Sequence, residues 1–263
     1  MAPKLLLVGG GKMGSALLSG LVAAGWAPVT DLVVSDPDPA QRARLKATHP
    51  GLTVVSGPTE ADDILLAVKP DVAEAALRAL GVSGPRRVLS IVAGISSDRL
   101  EASLPVGSVV VRAMPNTPSL IGAGVAGLSG GVAATSADLD WAEGILSAVG
   151  TVVRLSERHL DAVTGVSGSG PAYLFLVAEA LIEAGVTAGL PRDVSKHLVV
   201  GTLLGASKML DETGQEPGDL RAAVTSPGGT TAAAVRTLEF KAVRSAFIEA
   251  VAAATERSRQ LGR

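Results

Sequence analysis

Apolar and polar positions follow two rhythms along this chain, and the change from one to the other divides it. Up to about residue 157, short and mainly apolar runs recur at 5–8, 32–35, 53–55, 63–68, 87–92, 108–111, 124–128 and 151–155. Runs of this length with no polar face suit strands buried on both sides of a parallel sheet. Segments of helical period lie between them, at 15–21, from about Asp38, at 71–80 and at 136–149. Strands that alternate with helices predict an α/β fold with a doubly wound, mostly parallel sheet over residues 1–157. From 158 to 263 only the helical period remains, at 172–184, 193–210, 230–238 and 244–260. Segment 172–184 (AYLFLVAEALIEA) is apolar around most of its circumference, so it needs cover on several sides. A self-complementary two-fold contact between all-helical domains would supply that cover, which predicts a homodimer.

The first strand runs straight into Gly9-x-Gly11-x-x-Gly14, and a helix follows. That order of strand, glycine turn and helix is the context the motif needs in order to mean dinucleotide binding. One glycine makes the turn, the second lets a pyrophosphate approach, and the third lets helix and strand pack closely. The helix start adds unpaired N–H groups and a positive dipole end. The first domain therefore reads as Rossmann-like, with Gly9, Gly11, Lys12, Met13 and Gly14 as candidate cofactor contacts.

Asp36 lies 22 residues beyond Gly14, next to Ser35, where such folds meet the adenosine ribose. An acid there accepts hydrogen bonds from a 2′-hydroxyl and repels a 2′-phosphate, which leans toward NAD(H). Asp36 could equally cap the next helix, and Arg42 and Arg44 lie close enough in sequence to reach a phosphate. Further candidates sit at later strand ends, the edge where open parallel sheets bind ligands. They are Ala67, Val68, Lys69 and Pro70, then the small pair Ala93 and Gly94, then Asn116 and Thr117 in the turn PNTP. Lys69 reads either as a contact or as a solvated charge, and Asn116 either as a contact or as a turn brace.

Two glycine loops in the helical half, 167–173 (SGSGPAY) and 225–231 (TSPGGTT), each open a predicted helix. Hydroxyls beside a helix N-terminus suit a small carboxylate. Neither is a nucleotide-hydrolase phosphate loop, because no Gly-Lys-Ser/Thr follows.

A formal charge of −2 and the absence of a basic run argue against a nucleic-acid partner. With no cysteine, thiolate catalysis, disulfides and cysteine-bound zinc are excluded. The start reads as no signal peptide, and the uncharged run 113–137 holds prolines and glycines that suit loop and strand better than a membrane span. The expectation is a cytoplasmic protein. His49, His159 and His197 read as solvated or satisfied, and Asp36-x-Asp38 and Asp138-x-Asp140 as caps, so no metal is expected.

Taken together, GGGKMGSAL at 9–17, AVKP at 67–70, AGI at 93–95, MPNTP at 114–118, SGSGPAY at 167–173, GLP at 189–191 and TSPGGTT at 225–231 resemble the pyrroline-5-carboxylate reductases, over essentially the whole chain. The resemblance implies reduction of the C=N bond of 1-pyrroline-5-carboxylate to L-proline, with NADPH or NADH as cofactor. It implies a substrate carboxylate held at Ser226, Gly229, Thr230 and Thr231, with the Thr231 hydroxyl near the substrate nitrogen as the catalytic contact. It further implies helical domains interlocked as dimers, commonly assembled as five dimers in a decamer. The chain departs from the family pattern at Val55-Ser56-Gly57, at Glu216 and at Asp36, and these departures bear on cofactor choice.

Two other readings fit parts of the chain: a hydroxy-acid dehydrogenase, or an NAD(P)-binding protein without activity. The first relies on a lysine within the central helix of the second domain, and 172–184 contains none.

Overall fold

All eight predicted strands form, and they pair into one sheet. The computed structural model describes residues 4–57, 59, 61–80 and 84–262. The strands are β1 (Leu5–Val8), β2 (Leu32–Ser35), β3 (Thr53–Val55), β4 (Asp63–Leu66), β5 (Arg87–Ser90), β6 (Val109–Met114), β7 (Gly124–Gly130) and β8 (Gly150–Arg154). Their order is β3-β2-β1-β4-β5-β6-β7-β8. Each neighbouring pair is parallel except β6–β7.

The two-residue alternation of β1 sorts its leucines into separate cores. Leu5 and Leu7 join Leu17, Leu18 and Leu21 of α1 (Lys12–Ala23), Leu45 of α2 (Pro39–Thr48) and Ile145 of α5 (Ser136–Leu146). Leu6 and Val8 join Leu77 of α3 (Ala73–Ala79) and Leu100 of α4 (Ser97–Glu101) on the other face. Helices on both faces are why β1 is apolar on both of its sides.

Some boundaries differ from the sequence expectation. β6 runs on to Met114 because the antiparallel partner β7 sets Ala113 against Leu128 and Met114 against Gly127. α4, α6 (Leu160–Val163) and α9 (Pro217–Ala223) were not expected, since four to seven residues are too few to display a helical period. The loop expected at 167–169 is largely a π-helical turn, Thr164–Gly168, with the Ser169 N–H reaching back to the Thr164 carbonyl at 2.8 Å.

The chain forms two compact units, residues 1–169 with 251–263, and residues 170–250. The segment after β8 stays with the sheet because Ser258 Oγ of α11 (Val243–Leu261) donates to Asp161 Oδ1 of α6 at 2.6 Å.

In the second unit, α7 (Gly170–Thr187) packs on α8 (Arg192–Thr213). Gly185 leaves room for the Ser195 hydroxyl, which donates to the Ile182 carbonyl at 2.9 Å. α7 buries none of its residues in the single chain. Phe175 and Leu176 are 65% and 66% exposed.

Candidate active site

The three motif glycines have separable jobs. Gly9 sits at φ +100°, and a Cβ there would lie 2.6 Å from the Ala67 carbonyl oxygen. A Cβ on Gly14 would lie 2.2 Å from the Gly9 carbonyl oxygen, so the third glycine lets α1 sit against the turn. At Gly11, among the described residues, nothing lies within 4 Å of that position. Gly11 is also the uncapped N-cap of α1. The space a side chain would fill is thus open in front of a helix N-terminus, which fits a dinucleotide pyrophosphate. Lys12 is exposed beside it and Met13 is half-buried.

Gly10 is clamped from both sides. Its N–H donates to Asp36 Oδ2 at 2.8 Å, and its carbonyl accepts from Ser15 Oγ at 2.7 Å and from Gln41 Nε2. Gln41 and Ser15 were not singled out from sequence; the only clue was their place in the first turns of the helices flanking the motif. Ser35 Oγ donates to the Gly57 carbonyl at 2.9 Å. Gly9, Ser35, Pro37, Gly57, Val68 and Val72 help line a cleft of about 370 Å³. Lys69 is exposed just beyond it, and Pro70 opens a short 3-10 turn into α3.

At the end of β6, both amide atoms of Asn116 are engaged. Oδ1 accepts from the Val125 N–H at 2.9 Å, and Nδ2 donates to the Ser167 carbonyl at 3.2 Å. The bracing role thus accounts for this buried side chain, which ties the PNTP turn to the π-turn. Asn116→Ala is expected to cost about 1–3 kcal/mol by stranding these backbone groups, read as a lowered midpoint in urea. Gly94 has φ +79°, and a Cβ there would meet Gly262 N at 3.0 Å and Ser258 O at 3.1 Å. Its missing side chain therefore makes room for the end of α11.

A further network lies below this edge. Arg112 Nη1 meets Glu157 Oε1 at 2.7 Å, and Ser97 donates to the same carboxylate through N at 2.7 Å and Oγ at 2.5 Å. Burial alone would raise the Glu157 carboxyl. The hydrogen bonds from Ser97 and Arg112 outweigh it and hold the group below the ordinary glutamate range.

The second unit holds the other candidate loop. Ser226-Pro227-Gly228-Gly229 turns through Gly228 at φ +72°, and the Gly229 N–H closes onto the Ser226 carbonyl at 3.0 Å. α10 (Thr230–Phe240) then starts from Gly229 with no side-chain cap. Its first N–H groups, at Thr230, Thr231 and Ala232, face outward from the helix start, as an anion requires. Ser226 and Thr230 are exposed, and Gly229 and Thr231 half-exposed. The SGSGP segment offers no such opening, because the π-turn occupies it.

The acids that looked metal-like have local duties. Asp38 caps α2 through the Ala40 N–H, Asp138 completes a capping box with Thr135, and Asp140 pairs with Arg154. His49 contacts Ser19, His159 contacts Ser156, and His197 is exposed.

Residues 157–261 match the family model for pyrroline-5-carboxylate reductase dimerisation, and residues 4–94 match that for NADP oxidoreductase, coenzyme F420-dependent. A pyrroline-5-carboxylate reductase from Synechocystis sp. is 42% identical over 268 residues, covering 100% of both sequences. The chain belongs to the pyrroline-5-carboxylate reductase family. The solved pyrroline-5-carboxylate reductase of Coxiella burnetii superposes with a TM-score of 0.91 at 35% identity, covering 100% of both chains. The NADP-bound pyrroline carboxylate reductase of Plasmodium falciparum gives 0.87 at 32% identity, covering 99% of this chain and 98% of that one. As a pyrroline-5-carboxylate reductase family member the chain is an oxidoreductase that uses NAD(P)H, and the open cradle at Gly11 fits that cofactor. One segment, Glu157–Thr187, is long and apolar enough to cross a membrane by length and composition, but it falls within the matched dimerisation region.

Proposed function

We propose that this protein reduces 1-pyrroline-5-carboxylate to L-proline with NADPH or NADH, the last step of proline biosynthesis. The observation that carries this reading is the uncapped start of α10 behind Ser226-Pro227-Gly228-Gly229. It is an anion site without arginine, in a chain whose other unit presents a dinucleotide cradle. The substrate carboxylate sits on the N–H groups of Thr230 and Thr231, held by Ser226 and the close turn at Gly229. The Thr231 hydroxyl oxygen accepts from the N–H of the ring nitrogen, which arrives protonated and so needs no strong acid. Gly9, Gly11 and Gly14, with Lys12 and Met13, hold the dinucleotide; Ser35, Asp36, Ala67, Val68, Lys69, Pro70, Ala93, Gly94 and Asn116 shape the rest of its cleft. The bound cofactor supplies hydride to the imine carbon. The chain's own contribution is placement, and effective molarity supplies much of the acceleration.

The bare apolar face of α7 supports a homodimer through the helical domains. Five such dimers make the proposed decamer, in the cytoplasm, without nucleic acid or membrane. Residues 1–157 serve the cofactor and 158–263 serve dimerisation and substrate.

The test is loss of reduced-nicotinamide absorbance on adding synthetic pyrroline-5-carboxylate, with 2-hydroxy and 3-hydroxy acids plus oxidised cofactor as the comparison. Thr231→Ala is expected to lower kcat on the order of 10²-fold and leave nucleotide affinity unchanged. Equal loss of both would remove the substrate assignment.

A further inference from the structure

We infer that this chain selects NADH over NADPH, and that Asp36 is the residue that imposes the choice. The inference deepens the reading above and rests on it for turnover, though not for binding. Asp36 follows the last residue of β2 and is 8% exposed. Its carboxylate is pinned at both oxygens, Oδ2 by the Gly10 N–H at 2.8 Å and Oδ1 by the Asp38 N–H at 2.9 Å. The alternative duty considered for it, capping α2, belongs to Asp38.

A carboxylate of this kind accepts hydrogen bonds and donates none, and each oxygen keeps a further lone pair. The hydroxyls of an unphosphorylated ribose can donate to it. A 2′-phosphate brings only acceptor oxygens and negative charge. Asp36 has no way to swing aside, because doing so would release both the glycine loop and the turn into α2.

Among the described residues, several donors near this carboxylate are already engaged. Among the described residues, the cleft lining beside β2 includes no lysine or arginine. The Ser35 hydroxyl is donated to Gly57 O, and the Gly10 N–H to Asp36 itself. Arg42, the nearest base in sequence, turns Nη1 onto the carbonyls of Asp36 and Pro37 at 2.9 and 2.7 Å. Arg44 lines a different hollow, between α1 and α2.

The experiment measures dissociation constants of NADH and NADPH by nicotinamide fluorescence with no pyrroline present, on the full chain and on Asp36→Asn and Asp36→Ser. Wild type is expected to bind NADH at least about tenfold more tightly, and the variants to narrow that ratio about tenfold, chiefly by binding NADPH better. Equal or tighter binding of NADPH by wild type overturns the inference. So does a variant that weakens both dinucleotides alike, which would make Asp36 a brace for the glycine loop and nothing more. Should the variants fail to fold, the wild-type ratio decides alone. Selective NADH binding without turnover of pyrroline-5-carboxylate would sustain the Asp36 assignment while refuting the substrate reading.

Discussion

Gly11→Ala is expected to leave the protein folded yet weaken dinucleotide binding at least about tenfold, whereas Gly14→Ala is expected to unfold the turn itself. The difference follows from what each new methyl group meets. At Gly11 the backbone has φ −61° and ψ −169°, which alanine adopts freely, and among the described residues nothing lies within 4 Å of the new methyl group. Exchanging glycine for alanine at an N-cap costs about 1 kcal/mol or less. The methyl group fills space that only the cofactor needs. At Gly14 the methyl would fall 2.2 Å from a backbone oxygen that has no freedom to move, because Gly9 is itself wedged against Ala67. Overpacking of that kind costs about 3 kcal/mol or more, a fall in Tm of roughly 6–12 °C for a chain of this size. Calorimetry with a parallel NADH titration separates the two outcomes. Unchanged affinity in Gly11→Ala would mean that the pyrophosphate lies elsewhere.

Glu157→Ala is expected to be the most destabilising single charge removal. It strands the guanidinium of Arg112, which is 8% exposed and whose Nε already lacks a partner. It also takes the acceptor from both Ser97 donors. Breaking a buried pair from one side costs about 3–5 kcal/mol; partial exposure of Glu157 reduces this to about 2–4 kcal/mol. The pH dependence has a definite sign. The folded carboxyl titrates below its unfolded counterpart, so its stabilisation is complete above the unfolded value of about 4.3. It disappears as the pH falls through the folded value. Urea midpoints between neutral pH and pH 3 should fall more steeply for wild type than for Glu157→Gln, and parallel curves would contradict this account.

The two networks also show what a linear sequence reveals and what it hides. The strands were legible because each is a short, mainly apolar run and most are closed within a few residues by glycine or proline, and the three motif glycines because strand and helix flank them. The Asp36–Gly10 bond was not, since it joins residues 26 apart through a backbone N–H that every residue type but proline offers. Glu157 was missed for a similar reason, although Arg112 inside the apolar strand VVVRAM was a readable sign that a buried charge needed a partner. The SGSGP segment misled in the other direction. Its glycines look like loop residues, yet Gly168 is small where Met114 presses on the π-turn, as Gly165 just before the segment is where Thr255 does. The open start of α10 was legible outright, because a glycine at the N-cap leaves the first N–H groups of a helix without a side-chain cap.

The reversal of direction between β6 and β7 has a practical consequence. Gly130 pairs with Val111, so β7 finishes at the rim of the sheet opposite the one that carries the glycine turn. Val132, just past that finish, is 88% exposed. A dye or surface tether attached there would sit on the back of the nucleotide-binding unit and leave its working face open to solution.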